Sequence, residues 1–334
     1  MRVKDLYLKN IGPFKEANLK FLEDSDTGAG HVTLITGENG TGKSIILDAI
    51  RGMFGEGYCR LERNIVRAGE EPKIEISLKV GEKDLQLSAQ AFAQDNSIIP
   101  SNSELYNLPS RAEAGKRSYP DWVVDFWRSS LATDDFKIQN LVTQNHAQFL
   151  RNSLQGIHLN VNVTQLICYF DYLRDSRDPV EKQAGERLYA ILEKIFEHSL
   201  LDGRLSHVVR ATFDPIVIQN GQAVKLANLS SGNLYLIQRL VSLLGRMYSG
   251  HVLRQAPLAD LGQTPGLLLI DEAENHLHPK WQKRFISDIL DIFPNLQIIA
   301  TTHSPFIISS TPKARIFVCQ ARDDYCVVTD ETRE

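Results

Sequence analysis

The chain has 334 residues, 43% of them hydrophobic and 23% charged, with a formal net charge of −4. That balance suits a globular chain long enough for one large core, or a core with an inserted lobe. It excludes a molecule that holds nucleic acid by overall charge; only a local basic face would do so.

The opening MRVKDLYLKN alternates apolar and charged residues, unlike a secretory leader, and no stretch reaches the roughly 18 unbroken apolar residues of a spanning helix. Residues Arg2–Phe21 predict two short strands, with Leu6, Leu8, Leu19 and Phe21 alternating with polar neighbours and NIGPF as the bend. A polar loop, EDSDTGAGH, precedes the apolar strand HVTLIT, which runs into a glycine-rich turn and a helix. KIEISLKVGEKDLQLSA predicts an antiparallel hairpin with Ile74, Ile76, Leu78, Val80, Leu85 and Leu87 on alternate positions. Asp95–Ser118 is rich in Ser, Asn, Pro and Arg and predicts a long loop. Tyr119–Arg204 is expected to be mainly helical. Leu188, Ile191, Leu192, Ile195 and Phe196 share one helical face there, expected to be core packing.

PIVIQNGQAVKL predicts a second hairpin with Asn220-Gly221 in a type I′ turn. Its second strand leads to LSSGN and an apolar helix. The last third alternates strand and helix: GLLLIDE, PKWQKRFISDILDIF, LQIIATTHS and ARIFVCQ. The fold class expected is α/β, a mostly parallel sheet between helices with antiparallel hairpins beside it. The divisions read are residues 1–94 and 206–334 as two halves of one core, with 95–205 as an inserted, mainly helical lobe. Cys59, Cys168, Cys319 and Cys326 form no CxxC pair, so neither a disulfide frame nor a metal clip is expected, and a reducing cytoplasm is the natural compartment.

Three segments carry chemistry. Gly37–Ser44, GENGTGKS, fits G-x-x-x-x-G-K-[ST]. Backbone N–H groups from Asn39 to Ser44, including Gly40, Thr41 and Gly42, are placed to face phosphate oxygens. Lys43 supplies a charge beside the terminal phosphates, and the Ser44 hydroxyl is a Mg²⁺ ligand. Asp271-Glu272 closes a buried strand. There an aspartate can hold the magnesium shell and the adjacent glutamate can polarise a water, although an acidic turn after a strand is also common. His303 ends the next strand, where ligands gather in open α/β sheets, and an imidazole there can reach a γ-phosphate or the attacking water.

The order GENGTGKS, LSSGN, LLLIDE, TTHS resembles the ATPase heads of the ABC superfamily, with LSSGN departing from the common LSGGQ at two positions. The resemblance implies that ATP and Mg²⁺ are the cofactors, and that Lys43, Glu272 and His303 carry hydrolysis. It further implies that Ser230, Ser231, Gly232 and Asn233 act in trans, clamping the γ-phosphate on a second copy's P-loop in a head-to-tail homodimer. IDEAENHLHPKWQ, TTHSPFII and LYLKNIGPFKEANLKF narrow this to the OLD-like and RecF-like ATPases, relatives of SMC heads. His276 and His278 match the HLHP loop at the dimer seam of that branch. No room for a Toprim nuclease is expected after His303. The resemblance is therefore to stand-alone ATPases of bacterial anti-phage systems of the Septu type, which imply a slow regulatory ATPase, a separate effector and no membrane.

A RecF-like DNA clamp is the alternative, resting on Arg60, Arg63, Arg67, Arg111, Lys116 and Arg117; a transporter subunit is disfavoured by the HLHP loop. The glutamine that ABC enzymes direct at the magnesium has three candidates, Gln94, Gln139 and Gln144.

Overall fold

The computed structural model describes residues 1–22, 30–54, 59–60, 71–92, 97–100, 119–129, 136–143, 145–154 and 162–332. The chain opens with β1 (Arg2–Ile11), β2 (Phe14–Lys20) and β3 (Val32–Gly37), followed by α1 (Lys43–Gly52) and β4 (Cys59–Arg60). Strands β5 (Lys73–Val80), β6 (Lys83–Phe92), β7 (Ser97–Pro100) and β8 (Val123–Trp127) lead to α2 (His146–Leu154), α3 (Val163–Arg174) and α4 (Pro179–Ser199). Next come β9 (Gly203–Val209), β10 (Asp214–Gln219), β11 (Gln222–Lys225) and α5 (Ser231–Arg254). The chain closes through β12 (Gly266–Ile270), α6 (Pro279–Gln282), α7 (Phe285–Ile292), β13 (Leu296–Thr301), α8 (Pro305–Ser310), β14 (Arg315–Arg322) and β15 (Tyr325–Asp330).

One twelve-stranded sheet runs in the order β4-β7-β6-β5-β1-β2-β15-β14-β3-β13-β12-β8. Its β14-β3-β13-β12-β8 side is parallel throughout, while β4 through β2 pair antiparallel. The expected parallel core and antiparallel hairpins are thus halves of one surface. In the β5–β6 hairpin Ile74, Ile76 and Leu78 are buried, as the alternation requires, and Gly81 turns the corner at φ +60°. A second sheet, β11-β10-β9, turns at Asn220 and Gly221, both with positive φ, as a type I′ turn demands.

Two segments expected to be loop or helix are strands. Ser97–Pro100, inside the presumed long loop, is a strand paired with β6. Val123–Trp127, inside the presumed helical middle, is the parallel edge strand beside β12. Asp125 interrupts its apolar run in the sequence, yet the strand is buried at every position. The charge is met by Arg246 of α5, while Phe126 N and Trp127 Nε1 donate to the same carboxylate at 2.8 and 3.1 Å. A fully paired and hydrogen-bonded charge can be buried where a lone one cannot.

In the middle of the chain Val163–Arg174 and Pro179–Ser199 are helices, joined through 175–178. Leu188, Leu192, Ile195 and Phe196 of α4 are fully buried, and Ile191 packs at the edge of the core. PKWQKRFISDILDIF is divided into α6 and α7 rather than continuous. Cys168, Cys319 and Cys326 are free, buried thiols. No helix among the described residues is long and apolar enough to cross a membrane.

Candidate nucleotide site

The loop from Gly37 to Ser44 joins the end of β3 to the start of α1. Gly37, Gly40 and Gly42 adopt φ of +138°, +80° and +90°, a region open to glycine and strained for other residues. Gly42 also has no space to spare: a Cβ would lie 2.6 Å from Pro13 Cγ and 2.7 Å from the Phe14 ring. The β1–β2 turn thus presses the loop into shape.

Lys43 is buried, and its ammonium donates to the carbonyls of Gly37 at 3.0 Å and Glu38 at 2.7 Å. Burial pulls its pKa below the usual lysine range, opposed by the nearby Cys319, Glu274, Asp271 and Glu272. Burial pushes the Cys319 thiol up to about 12. Thr41 spends its hydroxyl within the loop, donating to Glu38 O at 2.8 Å.

Ser44 and Asp271 meet directly, Oγ donating to Oδ1 at 2.6 Å. Thr301, at the end of β13, also donates to Asp271 Oδ1 at 2.9 Å and accepts the Glu272 amide at 2.7 Å. Two hard oxygens from a P-loop hydroxyl and a strand-end carboxylate, side by side and half- to fully buried, fit a magnesium ion that keeps most of its ligands from water and phosphate.

A cleft of about 260 Å³ lies here, with Asn39, Gly40, Gly42, Lys43, Ser44 and Ile45 on the loop and Glu272, Thr301 and His303 from the strand ends. Glu272 has φ +52°, and its Oε2 accepts from Asn275 Nδ2 at 2.5 Å.

Two residues here were not singled out from sequence. Glu274 accepts the Thr302 hydroxyl at 2.6 Å and the His303 amide at 2.9 Å, so it ties the loop after β12 to the loop after β13. Thr301 bridges Asp271 and Glu272. The second glutamate of DEAEN and the paired threonines of TTHS were the only sequence signals for either.

LSSGN sits at the other end of the predicted constellation. Ser230 caps α5, its Oγ accepting from Asn233 N at 3.4 Å. Ser230 and Ser231 are exposed, Gly232 is half-buried and Asn233 is buried; none of the four lines the P-loop cleft. Gly232 leaves room for the HLHP loop, since a Cβ there would come within 2.7 Å of His276 O. His276 has φ +63° and its ring lies 5.5 Å from that of Tyr235, while His278 caps α6 through Nδ1.

Gln139 is exposed and away from the cleft lining. Gln94, Gln144, Arg63, Arg67, Arg111, Lys116 and Arg117 lie outside the described residues, as does the side chain of Arg60.

This fold and site define an ABC-like P-loop ATPase head. The chain belongs to the family described as "AAA domain, putative AbiEii toxin, Type IV TA system", whose model matches residues 32–309. It is 28% identical to the Septu protein PtuA of Bacillus thuringiensis over 320 residues, which cover 92% of this chain and 73% of that protein. It is 23% identical to the Retron Ec83 probable ATPase of Escherichia coli, covering 95% of this chain and 71% of the relative. Among solved structures, the SMC head domain from Thermotoga maritima matches over 99% of both chains with a TM-score of 0.53 at 17% identity. An Smc head bound to the C-winged helix domain of ScpA gives a TM-score of 0.59 at 17% identity, covering 99% of this chain and 98% of that one.

Proposed function

We propose that this chain is the ATPase subunit of a bacterial anti-phage system, binding MgATP, pairing head to tail with a second copy and passing that state to a separate effector. The relationship to Septu PtuA and a retron ATPase supports the defence setting. Lys43 and the loop amides hold the phosphates, Ser44 and Asp271 hold magnesium, Glu272 orients the attacking water, and His303 senses the γ-phosphate. The chemistry is phosphoryl transfer to water, slow and regulatory. Residues 1–94 and 206–334 form the nucleotide core in this reading, and 95–205 supplies the lobe available to the effector. Cytoplasmic action agrees with the free thiols.

One observation carries the pairing: Ser230 and Ser231 stand exposed at the start of a long helix, while their own P-loop cleft is lined without them. The positive end of a helix is suited to an anion from another molecule. The test is the solution mass of the Glu272→Gln variant with and without MgATP, at low and moderate salt. A doubled mass, or a loose dimer made stable, supports action in trans. Bound ATP with mass and compactness unchanged leaves LSSGN as a helix cap and removes the head-to-tail switch.

A further inference from the structure

Glu272 is pinned at its backbone but not, by that alone, at its carboxylate. Its amide donates to Thr301 Oγ1 at 2.7 Å, and its φ of +52° fixes the direction in which the side chain leaves. Three further side-chain torsions separate that backbone from the oxygen that must meet a water. General-base action depends on placing that oxygen to within a fraction of an ångström.

The structure assigns this task to Asn275: we infer that it is a positioning residue, holding Glu272 Oε2 so that Oε1 is presented to the water. This rests on the reading of Glu272 as the residue that orients the water. The Asn275 amide nitrogen Nδ2 donates to Glu272 Oε2 at 2.5 Å. Its backbone N–H donates to Glu272 O at 2.9 Å, closing the turn that brings the two side chains together. The same Nδ2 lies 3.5 Å from the carbonyl of Ser129, just beyond β8. The preceding carbonyl, that of Arg128, accepts from Arg239 Nη2 at 3.2 Å, and Arg239 belongs to α5, the helix that begins at the signature. Asn275 is therefore held by the end of one strand while it holds a carboxylate at the end of the next. An amide suits this better than a charged donor. It fixes one oxygen by a strong bond to an ionised acceptor without placing a full positive charge beside a base.

The experiment measures single-turnover ATP hydrolysis, binding of a fluorescent ATP analogue with Mg²⁺, and melting temperature on the full chain. The variants are Asn275→Asp, Asn275→Ala, Glu272→Gln and the Asn275→Ala/Glu272→Gln double. Asn275→Asp keeps the shape and removes the donor; Asn275→Ala guards against a charge effect. Both are expected to lower the hydrolysis rate by roughly tenfold to a hundredfold, with binding and melting unchanged. In the Glu272→Gln background Asn275→Ala is expected to cost nothing more, because it acts only through Glu272. Parental hydrolysis in both Asn275 variants overturns the inference, as does binding that falls in step with hydrolysis or a full additional loss in the double variant. If Glu272→Gln itself hydrolyses ATP normally, the reading of Glu272 falls first. If Glu272→Gln is inactive while both Asn275 variants hydrolyse ATP at the parental rate, this inference falls alone.

Discussion

Ser44 and Asp271, 227 positions apart in sequence, share a 2.6 Å hydrogen bond from the serine hydroxyl to Oδ1. Thr301 donates to the same oxygen, so two protein hydroxyls orient the carboxylate. Asp271→Asn is expected to keep the fold, because an amide oxygen accepts both hydroxyls, yet to weaken Mg²⁺-dependent ATP binding at least about tenfold. Titration calorimetry with and without Mg²⁺ checks this: binding without the metal should be nearly unchanged.

Gly42 combines a φ of +90° with no room for a side chain. Gly42→Ala should displace the loop from Pro13 and Phe14, and ATP binding should drop below detection. A melting temperature within a few degrees of the parent would place the damage in the loop. Normal ATP affinity in this variant would mean the loop does not hold phosphate in the conformation described.

Glu274 stabilises the turn that carries His303. Glu274→Ala leaves the Thr302 hydroxyl and the His303 amide without their acceptor. A cost of about 1–3 kcal/mol in denaturant stability is expected, together with slower hydrolysis. Glu274→Gln, which retains one acceptor oxygen, should lie between the parent and the alanine variant on both measurements.

Arg246 and Asp125 form an ion pair with both side chains 2% exposed. Arg246→Met strands the carboxylate in the core and should cost about 3–5 kcal/mol by urea unfolding. Adding Asp125→Asn should recover part of that loss, since the remaining amide carries no charge. Strictly additive costs would show that the two groups do not interact.

His146 is half-buried, with Nδ1 against Ser249 Oγ at 3.0 Å and its ring edge-on to Tyr248. Ser249 already donates to Gly245 O, so the histidine Nδ1 is the donor in this pair. Burial lowers its pKa from the ordinary value of 6.5. A group whose folded pKa is lowered in this way binds protons more readily when unfolded. Its contribution is therefore complete above pH 6.5 and is lost as pH falls below it, by at most about 1.4 kcal/mol per pH unit. His146→Gln should flatten the urea-unfolding midpoint between pH 6.5 and 5 relative to the parent.

Much of the site was legible because its signals are local. The P-loop declares itself through glycines whose backbone angles few other residues tolerate, followed by the lysine and serine that chemistry requires. The hairpin at Asn220-Gly221 and the alternation of Ile74, Ile76 and Leu78 are equally local. Strand β8 was not legible, because Asp125 reads as a break until Arg246 arrives from α5 to neutralise it. Glu274 and Asn275 carry no local signal of their roles, since their partners Thr302, His303 and Ser129 lie on other segments.

The sequence by itself determined the glycine-rich loop between β3 and α1, the alternation of strand and helix, and which charged residues stand at the strand ends. Those follow from steric limits on the backbone and from periodic burial, which act over a few residues at a time. Only the tertiary structure decided that β3 and β13 lie side by side, that Ser44 meets Asp271, and that Asn275 grips Glu272. Such contacts join distant segments, and the packed core rather than any local preference brings them within hydrogen-bonding reach.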